Sequence, residues 1–316
     1  MKSSTATATT ATADGGRPRT LPYVGRFAPS PTGDLHLGSL YTAAGAYLES
    51  RSHRGRFLVR IEDLDRPREV PGAAGRILAT LEAFGFEWDG AVMRQSARSD
   101  QYAAALRTLT ERGLLFACSC SRSQLPGSAP YPGTCRTLRL ASGPGVALRI
   151  RVEPGEIVFT DRVQGEFRQN LAATGGDFIV RRRDGPAAYA LAVVVDDAAQ
   201  GVTEVVRGAD LLPSTPQQIH LQRVLALPTP TYAHLPLLTE PDGAKLAKSR
   251  HSRRLDDADA GAQLLRVFAL LGLDPPLSLT GAPVAELWPW AVDRWSLRRV
   301  PRCPSLALPR DPVTGS

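Results

Sequence analysis

The sequence predicts an α/β protein organised on a parallel sheet, and three observations point there. Near the start, Tyr23 to Phe27 reads as a strand, Gly38 to Arg51 as a helix and Arg56 to Ile61 as a second strand. Such a βαβ unit is the building block of parallel sheets. Further on, the unbroken apolar run Leu191 to Val195 is closed by Asp196-Asp197, the pattern of a buried parallel strand ending at a functional edge. A strand from Val202 to Arg207 and a helix from Pro216 to Leu227 follow.

Each element has its own local reason. Pro29 and Pro31 punctuate the first strand and set a loop after it. Leu40, Ala43, Ala44, Tyr47 and Leu48 recur at helical spacing. In the second strand Phe57, Val59 and Ile61 alternate, with Leu58 making the run almost wholly apolar. Helices are expected over Ala73 to Phe84 and Asp100 to Arg112. Gly113 to Pro144 is rich in loop formers, and Val146 to Gln169 alternates in short β-like pieces. That shift marks an inserted subdomain, taken as residues 113–186, which splits a catalytic domain made of 21–112 and 187–249. Beyond it, helices around Ala260 to Leu271 and Ala285 to Ser296 make a helical extension over 250–300. Residues 1–20 and 301–316 read as a disordered tail and a loose tail.

The chain of 316 residues, 43% hydrophobic and 22% charged, has ample material for a sizeable core. Its 38 Lys and Arg against 31 Asp and Glu leave +7, which mildly favours a polyanionic partner and equally suits an ordinary basic protein. Four cysteines are too few for a disulfide framework at this length, so a reduced compartment is expected. No apolar run suits a signal peptide or a membrane span, which makes the cytoplasm the default and excludes a membrane partner.

The segment from Arg26 through Pro31-Thr32-Gly33-Asp34-Leu35-His36-Leu37-Gly38-Ser39 joins strand to helix. Gly38 permits close backbone approach at the helix start, where free N–H groups and the macrodipole favour phosphate. A histidine placed there can donate to a phosphoryl oxygen as charge develops. The run closely resembles the HIGH signature of glutamyl- and glutaminyl-tRNA synthetases, members of the class I aminoacyl-tRNA synthetases. Far downstream, Gly243-Ala-Lys245-Leu-Ala-Lys248-Ser249 resembles their KMSKS loop. The likeness runs through Leu58-Val-Arg60-Ile-Glu62-Asp63-Leu-Asp65, Ala192 to Asp197 and Val206 to Gln217. Ser39 departs from the commonest HIGH ending and keeps a small polar donor; Leu246-Ala247 departs within the second loop, and both lysines remain.

The resemblance implies a Rossmann-type catalytic domain and ATP, with magnesium, bound by Pro31, Thr32, Gly33, His36, Gly38, Ser39 and Lys248. His36, Lys245 and Lys248 would be the catalytic groups, the lysines stabilising departing pyrophosphate. For the amino acid, a side-chain carboxylate calls for cationic forks and the ammonium calls for an anion. By resemblance to the glutamate-specific branch, Arg26, Phe27, Ala28, Pro29 and Ser30 line the L-glutamate site. Glu62 would then meet its ammonium, and Tyr189 and Arg207 its carboxyl end. Taken singly, each arginine is more often a surface residue, and Glu62 could simply pair with Arg60 or Arg66.

Cys118, Cys120 and Cys135 cluster in a turn-rich stretch with Tyr131 between them. Spacing alone leaves a zinc site and unliganded core cysteines about equally open. The pattern resembles the zinc-binding insertion of a synthetase-like subfamily, in which the tyrosine completes the site. Only 67 residues follow Ser249, too few for a separate anticodon-binding domain of ordinary size. Length, motif wording and cysteine pattern thus resemble the short glutamyl-queuosine tRNA(Asp) synthetase family. Its members activate glutamate without tRNA and attach it to the queuosine base at the wobble position of tRNA(Asp). A monomer is expected, with Arg181-Arg182-Arg183 and Arg250, Arg253 and Arg254 as contacts to the tRNA backbone. Two other readings stay open: a truncated synthetase charging the 3′ end of tRNA(Glu), and a non-catalytic RNA-binding paralogue.

Overall fold

The computed structural model describes residues 22–125, 130–241, 243 and 255–309. Strand β1 (Val24–Phe27) runs into helix α1 (Leu37–Ser52), which returns the chain to β2 (Arg56–Ile61) parallel to β1. Helix α2 (Ala73–Ala83) then leads to the short parallel strand β3 (Met93–Arg94) on the far side of β2. The expected βαβ unit is therefore present, with its helix one residue longer at each end.

Helix α3 (Ser99–Glu111) precedes a stretch of antiparallel strands. β4 (Leu115–Cys118), β5 (Ala147–Ile150) and, later, β8 (Phe178–Arg181) form an antiparallel sheet in the order β4-β5-β8. Between β5 and β8, β6 (Glu156–Asp161) and β7 (Gly165–Asn170) make a hairpin, followed by the single turn α4 (Leu171–Thr174). These strands do not stand apart from the parallel body. Leu148, Ile150 and Val180 share one buried apolar cluster with Leu109 of α3 and with Leu191 and Val205 further along the chain.

One expectation is corrected here. Residues Leu191 to Val195 lie within helix α5 (Tyr189–Gln200), not in a strand. A continuous apolar run cannot separate a buried strand from a buried helix. Here the helix is covered on several sides, so Ala190 through Val194 are all buried. Gly201, at φ 66°, caps the helix in the left-handed conformation that glycine adopts freely. Asp196 and Asp197 consequently mark no strand end. Asp196 turns toward α3, where Gln95, Arg98 and Tyr102 donate to it, and Asp197 turns toward the sheet.

The parallel architecture resumes with β9 (Glu204–Gly208), α6 (Thr215–Leu225) and β10 (Thr231–Leu235), which pairs parallel to β9. A hydrogen bond from Thr203 N to Val24 O (3.0 Å) sets β9 beside β1. β1 thus lies between β2, which follows it directly, and β9, which arrives after the antiparallel strands. That reversal of winding is a topological switch point, and a crevice opens beyond the carboxyl ends of the two strands.

β11 (Leu237–Thr239), α7 (Ala260–Leu270) and α8 (Val284–Arg294) complete the chain together with β12 (Ser305–Ala307). The two helices are not a loose appendage. Leu264, Phe268, Leu287 and Trp288 belong to the same buried cluster as Phe27, Leu40 and Phe57, and Trp288 Nε1 donates to Phe84 O at 2.9 Å. Gly45 of α1 shows how close the packing is, since a Cβ there would stand 2.5 Å from Leu235 and 3.5 Å from Leu271. The expectation of a loose tail from residue 301 is corrected as well: β12 pairs parallel with β11, so residues 301–309 are tied down. Proline-rich spacing hid this short strand, because a three-residue pairing leaves no periodicity to detect. Among the described residues, no helix is long and apolar enough to cross a membrane.

Candidate active site

A cavity of about 560 Å³ occupies the switch-point crevice. It is lined from β1 and the following loop by Arg26 through Ser30, Thr32 and Gly33, and from the start of α1 by His36, Gly38 and Ser39. Glu62 at the end of β2, Tyr189 at the start of α5 and Arg207 on β9 close it. All eight residues expected to meet the amino acid are therefore brought together from four separate elements. Of those expected to meet ATP, Pro31 alone among the described residues does not line the cavity; it is buried behind the loop, its carbonyl accepting from Val70 N. Lys245 and Lys248 lie outside the described residues, as do Arg250, Arg253 and Arg254.

His36 is the N-cap of α1. Its Nδ1 accepts from Ser39 N at 3.3 Å, so one orphan amide of the first turn is satisfied by the ring. Burial holds the ring's pKa below its ordinary 6.5, so it is neutral near pH 7. With Nδ1 accepting, the proton of the neutral ring is on Nε2, which makes that atom a donor. Gly38 suits the same geometry, because a Cβ at that position would stand 3.0 Å from His36 Cε1 and crowd the ring. The histidine and glycine of the motif are thus one steric unit.

Beneath the cavity lies a chain of buried charges. Arg26 donates to both oxygens of Asp197 at 3.2 and 3.4 Å, and Arg60 Nη1 donates to Asp197 Oδ1 at 2.7 Å. Arg60 Nη2 in turn donates to Glu62 Oε1 at 3.2 Å, which makes Arg60 rather than Arg66 its partner. Burial raises the Asp197 pKa, yet Arg26 and Arg60 more than offset that and hold it below the ordinary carboxylate value. For Glu62 the balance goes the other way: burial outweighs Arg60 and Arg26 and the pKa rises. Glu62 is thereby less well satisfied than Asp197, as suits a carboxylate facing a cationic ligand.

Arg207 is 4% exposed and fixed from behind. Its Nε donates to His234 Nε2 at 3.0 Å and its Nη2 to Thr215 Oγ1 at 2.8 Å, while Nη1 is buried with no hydrogen-bond partner among the described residues. His234 Nδ1 lies 2.6 Å from Asp161 Oδ2. Burial lowers the His234 pKa, and although Asp161 pulls it back up, Arg207 adds to the lowering. The neutral ring carries its proton on Nδ1, donates it to Asp161, and offers Nε2 to Arg207. Asp161, His234 and Thr215 escape sequence reading because 73 positions separate the aspartate from the histidine, and neither sits in a recognisable motif.

Away from this cavity, Cys118, Cys120 and Cys135 converge with their sulfur atoms within 4.8 Å of one another. The Tyr131 hydroxyl stands 3.6 Å from Cys118 Sγ and 3.9 Å from Cys120 Sγ, and Cys120 and Cys135 Sγ are 3.5 Å apart. A tetrahedral zinc with Zn–S bonds of about 2.3 Å sets its thiolates roughly 3.8 Å apart, so these four atoms fit one ion. Arg149 supports the negative charge such a set needs, with Nε 3.3 Å from Cys118 Sγ and its guanidinium stacked 3.9 Å over the Tyr131 ring. Burial works against ionisation of Cys135, but bonds from Tyr131, Ser119 and Cys120 prevail and bring its pKa to about 6.

Of the triple arginine, Arg182 is held by Asp184 and Asp65, and Arg183 donates to the carbonyls of Ser119 and Cys120. Both side chains are thus engaged within the protein.

Residues 23–129 and 136–276 match the family model described as tRNA synthetases class I (E and Q), catalytic domain. A glutamyl-Q tRNA(Asp) synthetase of Ectopseudomonas mendocina is 54% identical over 288 residues, spanning 90% of this chain and 97% of the relative. A protein of the same name from Chromobacterium violaceum is 53% identical, covering 91% and 98%. Among solved structures, a glutamate tRNA ligase from Elizabethkingia meningosepticum, in complex with its amino acid, superposes with a TM-score of 0.77 at 24% identity. That match covers 91% of this chain and 67% of the other. At that identity the likeness speaks for the fold.

Proposed function

The chain belongs to the class I tRNA synthetases of the E and Q type, within them to the glutamyl-Q tRNA(Asp) synthetases, and from this we infer that it activates L-glutamate with ATP and transfers it to queuosine in the anticodon of tRNA(Asp). The observation that carries the reading is the union of Glu62, Tyr189, Arg207 and the His36-Gly38 helix start in one crevice. Glutamate offers an ammonium to Glu62 and a carboxylate to the vacant Nη1 of Arg207 and to Tyr189. Arg26, anchored on Asp197, adds positive charge at the same wall.

In the first step the α-carboxylate oxygen of glutamate attacks the α-phosphorus of ATP. A P–O bond forms, the bond to the β-phosphate oxygen breaks, and pyrophosphate leaves with the electron pair. Catalysis of this kind rests on position and charge rather than on a protein nucleophile. Nε2–H of His36 and the N–H groups at the α1 start donate to phosphate oxygens; Lys245 and Lys248 take up the charge of the leaving group, with magnesium accompanying the nucleotide. In the second step a hydroxyl of queuosine attacks the adenylate carbonyl and AMP departs. Residues 113–186 form the acceptor-binding insertion on a body made of 21–112 and 187–249. Zinc on Cys118, Cys120, Tyr131 and Cys135 would hold that insertion's shape and take no part in the chemistry.

The test is transfer of labelled glutamate to queuosine-containing tRNA(Asp), queuosine-lacking tRNA(Asp) and tRNA(Glu) in parallel. Transfer to the first alone is expected. Charging of tRNA(Glu) would overturn the acceptor, and absence of glutamate-dependent ATP–pyrophosphate exchange would overturn the activation step.

A further inference from the structure

A second and larger cavity, about 790 Å³, lies against the insertion and shares no lining residue with the first. The two nevertheless back onto the same structural edge. Glu62 lines one and its neighbour Asp63 the other; Tyr189 lines one and Ala187, two residues before it, the other. With consecutive Cα atoms 3.8 Å apart, only the tip of β2 and the start of α5 separate them.

The walls are firm. Asp63 receives both the backbone N–H and the hydroxyl of Ser96, at 2.8 and 2.7 Å, and Asp196 locks Gln95 and Tyr102 from behind. Leu64, Leu106, Leu148 and Pro186 supply apolar lining. Of the carboxylates at this cavity, Asp63 is spent on Ser96 and Asp184 on Arg182, and Glu111 stands exposed at the end of α3. The arginines outnumber it. Arg66 and Arg107 are exposed and have no carboxylate partner among the described residues, and Arg181 keeps a buried Nε without a hydrogen-bond partner. A net cationic rim whose guanidinium planes can stack on bases, over partly apolar walls, is one means by which proteins hold unstacked bases while neutralising the phosphates beside them. A ligand that reaches both cavities at once must be a chain of linked units.

We propose that this cavity receives a loop nucleotide of the acceptor RNA adjacent to the one being modified, with Arg66 and Arg107 on its phosphates. The proposal rests on the acceptor reading above and adds a site to it. It explains how an enzyme can activate glutamate in one cavity without RNA and still recognise RNA in the other.

The probe is the queuosine-containing anticodon stem-loop of tRNA(Asp), titrated by fluorescence anisotropy at several salt concentrations, with ATP–pyrophosphate exchange measured on the same preparations. Arg66→Glu and Arg107→Glu should each weaken binding about tenfold or more and reduce the slope of log K against log salt by about one. Exchange should stay within about twofold of the wild type, which also reports a correctly folded first cavity. Ala103→Trp, which fills the second cavity from α3, should weaken binding comparably. Unchanged stem-loop affinity and salt slope in all three variants would overturn the proposal. A wild-type protein that performs exchange but binds no stem-loop would instead overturn the acceptor reading, a result distinguishable from the first.

Discussion

Replacing His234 with Phe tests whether the buried Asp161–His234 pair positions Arg207 for the substrate carboxylate. The substitution keeps a planar ring in a fully buried position and removes three contacts, the 2.6 Å contact to Asp161, the 3.0 Å bond from Arg207 Nε and a 3.2 Å contact to Thr215 Oγ1. Asp161 stays satisfied, because Val163 N (3.0 Å), Gln164 N (2.8 Å) and the backbone N–H at position 234 (3.0 Å) still donate to it. Arg207 keeps Thr215 and loses its other anchor. A hydrogen bond involving a charged group contributes about 1.5–3 kcal/mol, and about 1.4 kcal/mol is a factor of ten in an equilibrium constant. With one anchor remaining, the lower end applies, so the KM for glutamate should rise about tenfold. The assay is glutamate-dependent ATP–pyrophosphate exchange with each substrate varied in turn. The KM for ATP should hold, since His234 touches nothing at the His36 end. His234→Gln, which restores an acceptor near the Nε2 position, should recover part of the loss. A KM for glutamate within twofold of the wild type, or equal losses for ATP and glutamate, would refute the positioning role.

Three further outcomes follow from the geometry. Gly38→Ala should shift the His36 ring at its cap and raise the KM for ATP severalfold in the exchange assay while leaving that for glutamate, because the added Cβ would sit 3.0 Å from Cε1. Protein purified without chelator should carry one zinc per chain by elemental analysis, and stripping it should lower the melting temperature and impair transfer to tRNA more than exchange. Finally, His36, His220 and His234 all have pKa values lowered from 6.5, with burial as the leading cause. The unfolded chain then binds more protons than the native one below that value, so their contribution to stability is intact above pH 6.5 and is lost as the pH falls through the native pKa values. Melting followed by circular dichroism should show a decline from pH 7 to pH 5.5; a flat profile would contradict the buried neutral rings.

The local elements were legible wherever turn formers bounded them. α1 and β2 appear within a residue or so of their expected limits although both are largely buried, because Pro29 and Pro31 precede the helix and Gly55 parts helix from strand. Leu191 to Val195 is misread because a five-residue apolar run, taken without its flanks, fits a buried strand as well as a buried helix. The site divides along the same line. His36, Gly38, Arg26 and Glu62 lie in contiguous motifs whose chemistry is local, and the structure gathers them into one cavity.

The sequence by itself determined the βαβ start of the parallel plan and the His36–Gly38 helix start, because each depends on neighbours only a few positions apart. Only the tertiary structure decided what stands behind them. Asp197 on α5 anchors Arg26 and Arg60, and Asp161 at the end of β6 bonds His234 on β10, which holds Arg207. The same holds for the second cavity, whose wall joins β2, α3 and β8. A buried charge must find its counter-charge wherever the packed chain supplies one, and that choice is made by the closing of the core rather than by spacing along the chain.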